Sequence, residues 1–442
     1  MERGGPSLLT DKQIKRSAKI LHLQIPFAKG FQELDIDEQN LIMLAEPPLK
    51  MEAAADEGEE LKRGFAHPIG TPRLRELARK GQKVAIAVSD YTRSTPTKRI
   101  LPFVLGELFS QEISDDDITI IFAGGNHRQT NEQEAKAILG EYYDRFQIRV
   151  NEADNDDVLK YVGTTSTGIE VEANKYFVDA DLKISLGTVE PHHSAGYSGG
   201  AKNLLPGVCS RKTINQHHEL SRHPLAMNGK IEGNPFKEQI DEAGRMIGCD
   251  FLVNVSLTED MRINQVFTGD LIQAHRTGAA HCAKFVMVDV PVAPDIVVVS
   301  LGGSPRDANL YQAEGKGLNR VKDIVKEGGV IILVADCYEG IGHAKMEEYL
   351  KMGSPQKIVD YFGQAEFSVP GNKAWRVGKM LLRNHVFLVT STFTDDVLPL
   401  LPLKNFRSLQ DAFDQAMAMK GADAQVLVVP RSVTTVLKNS KM

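Results

Sequence analysis

The stretch Thr71–Val88, TPRLRELARKGQKVAIAV, sets the architecture. Its first ten residues predict a helix: Thr71 as N-cap, Pro72 at the first helical position where a missing N–H costs nothing, and apolar residues on helical spacing. Val84–Val88 then runs apolar without alternation, as a strand covered on both faces of a parallel sheet does. The same alternation continues downstream. A helix is expected near Thr97–Gln111, a strand at Ile118–Phe122, and a helix from Thr130 with a capping box to Gln133. Strands near Gln147–Val150 and Leu182–Leu186 follow, then helices near Ser210–Glu219 and Phe236–Ile247. Strands alternating with helices make this an α/β protein with mostly parallel sheets.

Working outward, Lys19–Phe27 (KILHLQIPF) reads as an opening strand, and the acidic, proline-bearing stretch to about Glu60 as a surface connection or wrapping arm. Beyond a helix around Leu271–Phe285, the two prolines of VDVPVAPD mark a linker. A second α/β run begins with DIVVVSLGG (Asp295–Gly303). It continues through a helix containing YQAEGKG, the strand GGVIILVAD, helices to about Leu382, a strand at His385–Thr390, a helix near Leu409–Met419 and a strand at Gln425–Val429. The expected division is a first α/β domain over 1–287 and a second over 292–442 that closes the cleft, with the segment from about 425 returning to the first.

With 52 Lys plus Arg against 58 Asp plus Glu, the net charge of −6 leaves no surplus for a phosphate backbone, so nucleic acid is not an expected partner. Cys209, Cys249, Cys282 and Cys337 form no CxxC pair, which argues against a disulfide framework and a structural zinc site. The N-terminus lacks a signal-peptide core and no apolar run approaches a membrane span. A soluble, cytoplasmic protein with no membrane partner is expected.

Ligands of open parallel sheets bind outside the carboxyl ends of the strands. That rule selects three loops: Ser89–Arg93 (SDYTR), Gly124–Arg128 (GGNHR) and Glu190–Lys202 (EPHHSAGYSGGAK). The last holds two histidines, glycines that free backbone N–H groups to approach an anion, and a terminal lysine able to add charge or a covalent bond. His217 and His218 follow in KTINQHHEL. His127, His192 and His218 offer imidazoles for metal ligation or proton transfer, and Arg93 a forked cation for a carboxylate or phosphate, with Asp90 placed to orient it. Gln312 and Lys316 bring donors from the second domain, so the site is expected in an interdomain cleft. Each feature has an ordinary alternative: a glycine turn, a capping or core histidine, a local Asp90–Arg93 ion pair. Their convergence at three strand ends favours a site.

These residues resemble the nickel-pincer-dependent lactate racemases and related 2-hydroxy acid racemases and epimerases. The similarity runs from about His67 (HPIGTPRLRELA) to the C-terminus and is carried by SDYTR, HR, EPHHSAGYSGGAKNLLPG, KTINQHH and YQA. The resemblance implies a first domain that binds the cofactor and performs catalysis. It implies a pyridinium-3,5-bisthiocarboxylic acid mononucleotide-type pincer attached to Lys202, with nickel completed by His218, and cofactor-maturation proteins as partners. His127 and His192 match the acid/base pair on opposite sides of the substrate, and Arg93 the substrate-binding arginine. Asp90, Ser198, Gly199, Gly200 and Tyr311 are implied around the cofactor, and Gln312, Lys316, Ser194 and His193 around the substrate. Hydride leaving C2 for an electron-poor ring would avoid a carbanion at that weakly acidic carbon, with the histidines handling the hydroxyl proton.

Four departures bear on substrate. The family YQAxKG is here YQAEGKG, with one extra residue before Lys316. His193 and Ser194 replace an aromatic pair after the acid/base histidine, and Tyr91 replaces the histidine of DHTR. Asn372, by a gapless comparison, stands where the family has a tryptophan, with Trp375 close by. A roomier, more polar pocket is implied, suited to a larger polar or sugar acid rather than lactate. Two other readings remain open: a metal-dependent hydrolase on His127, His192 and His218, and a non-catalytic phosphate- or nucleotide-binding protein using the Gly196–Lys202 loop.

Overall fold

The computed structural model describes residues 19–393 and 397–439. Val84–Ser89 is a fully buried central strand, flanked in parallel by Ile118–Ala123 and Leu182–Thr188. Outward from these lie Gln147–Val150 on one side and, on the other, Phe251–Leu257 and the antiparallel edge strand Ile263–Gly269. The chain winds one way from Val84–Ser89 and then returns to its other side at Leu182–Thr188, so the sheet is doubly wound with its switch point between those two strands.

The second six-stranded sheet is wholly parallel, in the order Leu403–Phe406, His385–Val389, Val330–Val334, Ile296–Ser300, Val426–Val429, Leu41–Leu44. Its switch point lies between Ile296–Ser300 and Val426–Val429. Four of these strands have apolar, buried centres, which is why their pattern is continuous rather than alternating. The chain is thus mixed α/β with mostly parallel sheets.

Local expectations shift in three places. The helix expected from Thr71 is a single turn, Leu74–Leu77, because Arg73 and Arg75 both reach the buried Glu107 carboxylate and the backbone leaves the helix at Ala78. A ten-residue helix forms instead at Glu57–Ala66, inside the stretch expected as a connection. Asp56 caps it by accepting from the N–H groups of Gly58 and Glu59 at 2.7 and 3.1 Å, and Leu61 and Phe65 bury its inner face. The helix expected from Thr130 starts one residue later, with Asn131 and Glu134 forming the reciprocal cap.

The opening of the chain builds on the second sheet. Ile20–Phe27 and Gly30–Asp37 form a hairpin whose Ile25, Leu34 and Ile36 pack with Ile296, Val298, Leu409 and Phe413. The proline linker is preceded by a strand, Met287–Val290, that pairs in parallel with Val436–Asn439. Among the described residues no helix is long and apolar enough to cross a membrane.

Candidate active site

The switch point of the first sheet delivers two of the three selected loops side by side, since Asp90 follows Val84–Ser89 and Glu190 follows Leu182–Thr188. The third leaves the neighbouring strand, Ile118–Ala123. Asp90 is 3% exposed and its Oδ2 lies 2.7 Å from His127 Nδ1, while Oδ1 accepts from the Thr92 hydroxyl at 2.6 Å. Burial pushes the Asp90 carboxyl up, but the hydrogen bonds from His127 and Thr92 outweigh it, so the group sits below its ordinary value. The carboxylate hydrogen-bonds His127 instead of Arg93, whose backbone N–H donates to the Asp90 carbonyl and whose charge acts on the carboxylate from farther off. An ionised Asp90 fixes the proton of neutral His127 on Nδ1 and leaves Nε2 as a base. Arg128 stacks on Tyr91, 3.9 Å from the ring centroid, at the outer edge of this loop.

His192 has the opposite arrangement. Its Nδ1 accepts from the backbone N–H groups of Ser194 and Ala195 at 3.3 and 3.1 Å, so the neutral ring carries its proton on Nε2. Burial, with Lys202 next in weight, holds His192 well below the usual histidine range. His193 stacks on His192 with centroids 4.4 Å apart, and is likewise depressed by burial and then by Arg376 and Lys373 of the second domain. Ser194 is buried, its carbonyl accepting from Asn234.

The glycine loop is braced from below. Gly199 and Gly200 take φ of +76° and +55°, and a Cβ on either would lie 2.6 Å from Asn254 or His275 respectively. Asn254 Oδ1 accepts from Gly200 N–H at 2.8 Å, Ser198 N–H donates to Glu190 O, and Ser198 Oγ donates to Thr188 O. The Ser198 and Gly200 donors expected to face an anion are therefore committed to holding the loop. Lys202, at the end of this braced loop, is 8% exposed, and burial, Arg93 and Lys237 bring its pKa down to about 7.

The paired histidines divide their labour. His217 is fully buried with Nε2 on Phe236 O at 2.8 Å, a satisfied core residue. His218 anchors Nδ1 on Ile214 O at 2.8 Å, which leaves Nε2 free; burial, followed by Lys202, lowers it to about 4. Its ring faces Phe367 of the second domain at 6.4 Å. Next to it Ser221 accepts from Asn372 Nδ2 at 3.0 Å across the cleft, and Arg222 lies over Phe367 and Trp375.

From the second domain, Tyr311 packs between His343 and Lys373, 4.9 and 4.3 Å from its ring centroid, and Gln312 is exposed. The extra residue of YQAEGKG is absorbed in a π-helical turn over Glu314–Leu318. A π turn takes one more residue than an α turn, so Lys316 returns to the face that a lysine one position earlier would occupy on a regular helix. Its ammonium feels Lys373, Arg306 and Arg320, and also Glu190 from the first domain's loop. The buried support residues Asn254 and His275, and the cations Arg320, Lys373 and Arg376, were not singled out from sequence. Only the i,i+3 pair Lys373 and Arg376 left a local signal, two cations on one face of a helix. A cavity of about 190 Å³ beside Ile148, Arg149 and Tyr176 lies on the far edge of the first sheet and contains none of these residues.

The lactate racemase N-terminal domain matches residues 27–229 and the lactate racemase C-terminal domain matches 290–437. Lactate racemase from Thermoanaerobacterium thermosaccharolyticum is 30% identical over 425 residues, 94% of this chain and 99% of that one. The chain belongs to the lactate racemase family. A second member, lactate racemase from Lactiplantibacillus plantarum, is 30% identical over 427 residues with the same coverage. The family fold is shared throughout: the lactate racemase apoprotein structure from T. thermosaccharolyticum superposes with a TM-score of 0.87 at 29% identity, over 95% of this chain and all of that one. A Thermotoga maritima protein shares the fold at a TM-score of 0.62 and 19% identity, covering 90% of this chain and all of the other.

Proposed function

We propose that this protein is a racemase or epimerase that inverts C2 of a 2-hydroxy acid in the cleft between the two sheets. The observation that carries the reading is the complementary pair of histidines: His127 offers an unprotonated Nε2 backed by Asp90, and His192 an N–H at Nε2 backed by two backbone donors. Inversion needs proton traffic at the hydroxyl from both faces, and one base with one donor is the resting state such a site requires. Arg93 from the first domain and Lys316 from the second are the cations for the substrate carboxylate.

A nickel-pincer mononucleotide fits the residues present. Lys202, with its pKa brought to about 7, is available as a neutral amine for a covalent bond, and His218 has Nε2 free as a neutral metal ligand. When bound there, the group would supply an acceptor and then a donor for the C2 hydrogen. Cofactor-maturation proteins are the partners this requires. The chain's own part is to bind the acid, hold it between His127 and His192, and keep water from the reacting carbon.

The substrate we favour is a polyhydroxylated acid, such as an aldonate, over lactate. Asn372 is 4% exposed, and its Oδ1 is buried without a partner among the described residues, an acceptor suited to a substrate hydroxyl. The hydrolase reading has less support, because among the described residues no three His, Cys, Asp or Glu side chains converge as a metal-ligand set. The simple phosphate-binding reading is weakened by the commitment of the Ser198 and Gly200 N–H groups to the loop's own bracing. Protein produced beside a cofactor-making system should carry a mass adduct on Lys202, about one nickel, and C2-inverting activity. A Lys202→Ala protein with the same adduct and activity would refute the assignment.

A further inference from the structure

We propose that the second domain's wall of the cleft is a subsite for a second oxyanion, the carboxylate or phosphate at the far end of the substrate, with Arg320 as its principal ligand. This rests on the hydroxy-acid reading and narrows it. Lys316 and Arg320 stand four residues apart on the π turn and the short turn Asn319–Val321 that follows it. Arg320 Nε and Nη1 are shielded from solvent and have no hydrogen-bond partner among the described residues, although the residue as a whole is half-buried. Among the described residues the opposing charge that acts on Arg320 is Glu190, which also answers Lys316.

Lys373 and Arg376 add to the same field, since both act on His193 together with Arg320. Their own carboxylate is Glu314, which accepts from Arg376 Nε and Nη2 at 2.6 and 2.7 Å and from Lys373 Nζ at 3.2 Å. Lys316, Arg320, Lys373 and Arg376 thus share this wall with the carboxylate of Glu314 and face that of Glu190 on the first domain's loop, in a protein whose net charge is −6. Two shielded guanidinium nitrogens without partners are costly, and a forked anion is the group whose geometry answers them. With the reacting carboxylate assigned to Arg93 and Lys316, Arg320, whose charge acts on His193, is left for a second anionic end. A neutral His193 can add a ring N–H to the same group.

Gluconate and glucarate form a matched pair, equal in chain length and differing only in CH₂OH or carboxylate at C6. Titrated calorimetrically into the cofactor-free protein at low salt, glucarate should bind about tenfold or more tighter than gluconate, the scale of one charge-assisted pair. Arg320→Gln should erase that advantage, and Arg320→Lys, which keeps the charge but loses the fork, should retain only part of it. Equal binding of the two acids by the parent, or an Arg320→Gln protein that keeps the preference while unfolding at the parent's temperature, overturns the subsite. So does loss of the Lys202 adduct from matured Arg320→Gln, which would assign the cluster to the cofactor's phosphate. If glucarate binds as described and the matured enzyme inverts neither acid, the hydroxy-acid reading falls and the oxyanion subsite stands. Inversion of both acids with equal binding does the reverse.

Discussion

Replacing Lys202 with methionine should stabilise the cofactor-free protein, and the gain should vanish in alkali. The amine is 8% exposed, and the charges acting on it are the cations Arg93 and Lys237. Its pKa falls from the ordinary 10.5 of a lysine to about 7. Between these values the unfolded chain binds a proton that the folded chain does not, so stability rises with pH across that window. Below pH 7 the folded protein carries the whole burden, at most about 5 kcal/mol at roughly 1.4 kcal/mol for each pH unit, and a few kcal/mol after local relaxation. Methionine has nearly the same length, fills the same space and carries no charge. Denaturant unfolding of both cofactor-free proteins at pH 6, 8 and 10 is the assay. The variant should lead by a few kcal/mol at pH 6 and the curves should converge towards pH 10 to 11. A variant less stable than the parent at pH 6, or a difference independent of pH, would show that Lys202 is answered by a partner and is not a destabilised neutral amine.

Three further outcomes follow from the geometry. Asp90→Asn should lower kcat of the matured enzyme by about a hundredfold or more, because an amide N–H₂ facing His127 Nδ1 would move the ring proton to Nε2 and remove the base; a loss under tenfold with the Lys202 adduct intact would contradict this. His218→Ala should abolish nickel retention by elemental analysis, whereas His217→Ala should keep the metal and cost about 1 to 3 kcal/mol of stability through the orphaned Phe236 carbonyl; the reverse pattern would exchange their roles. Ser194→Phe and Asn372→Trp should each shift kcat/KM from gluconate towards lactate, and a parent that already prefers lactate would refute the pocket argument.

Much of this was legible because fully buried parallel strands write a continuous apolar signal. Val84–Ser89, Ile118–Ala123 and Leu182–Thr188 announce themselves, and once they are found the loops at their carboxyl ends name Asp90, His127 and His192. Elements without that signal escaped. The hairpin Leu159–Thr164 with Glu170–Asn174 is polar and half-exposed along its first strand, and Ile263–Gly269 is an antiparallel edge. The helix at Glu57–Ala66 is rich in acid at its start, which reads as connection until Asp56 is seen to cap it. Within the site, Asn254 and His275 support the glycine loop from 54 and 77 positions away along the chain, and no spacing rule reaches so far. The π turn is a different case: one surplus residue in YQAEGKG was visible, but whether it displaced Lys316 or was absorbed depended on the backbone.

Inversion at C2 is tested most sharply by incubating the matured enzyme in heavy water with single C2 forms of gluconate and of lactate, and following the C2 resonance by NMR. The opposite C2 form should appear, faster from gluconate, and should keep its original hydrogen at C2, because hydrogen leaves and returns without meeting solvent. No inversion of either acid, or rapid deuterium incorporation at C2 during inversion, would contradict the proposed reaction.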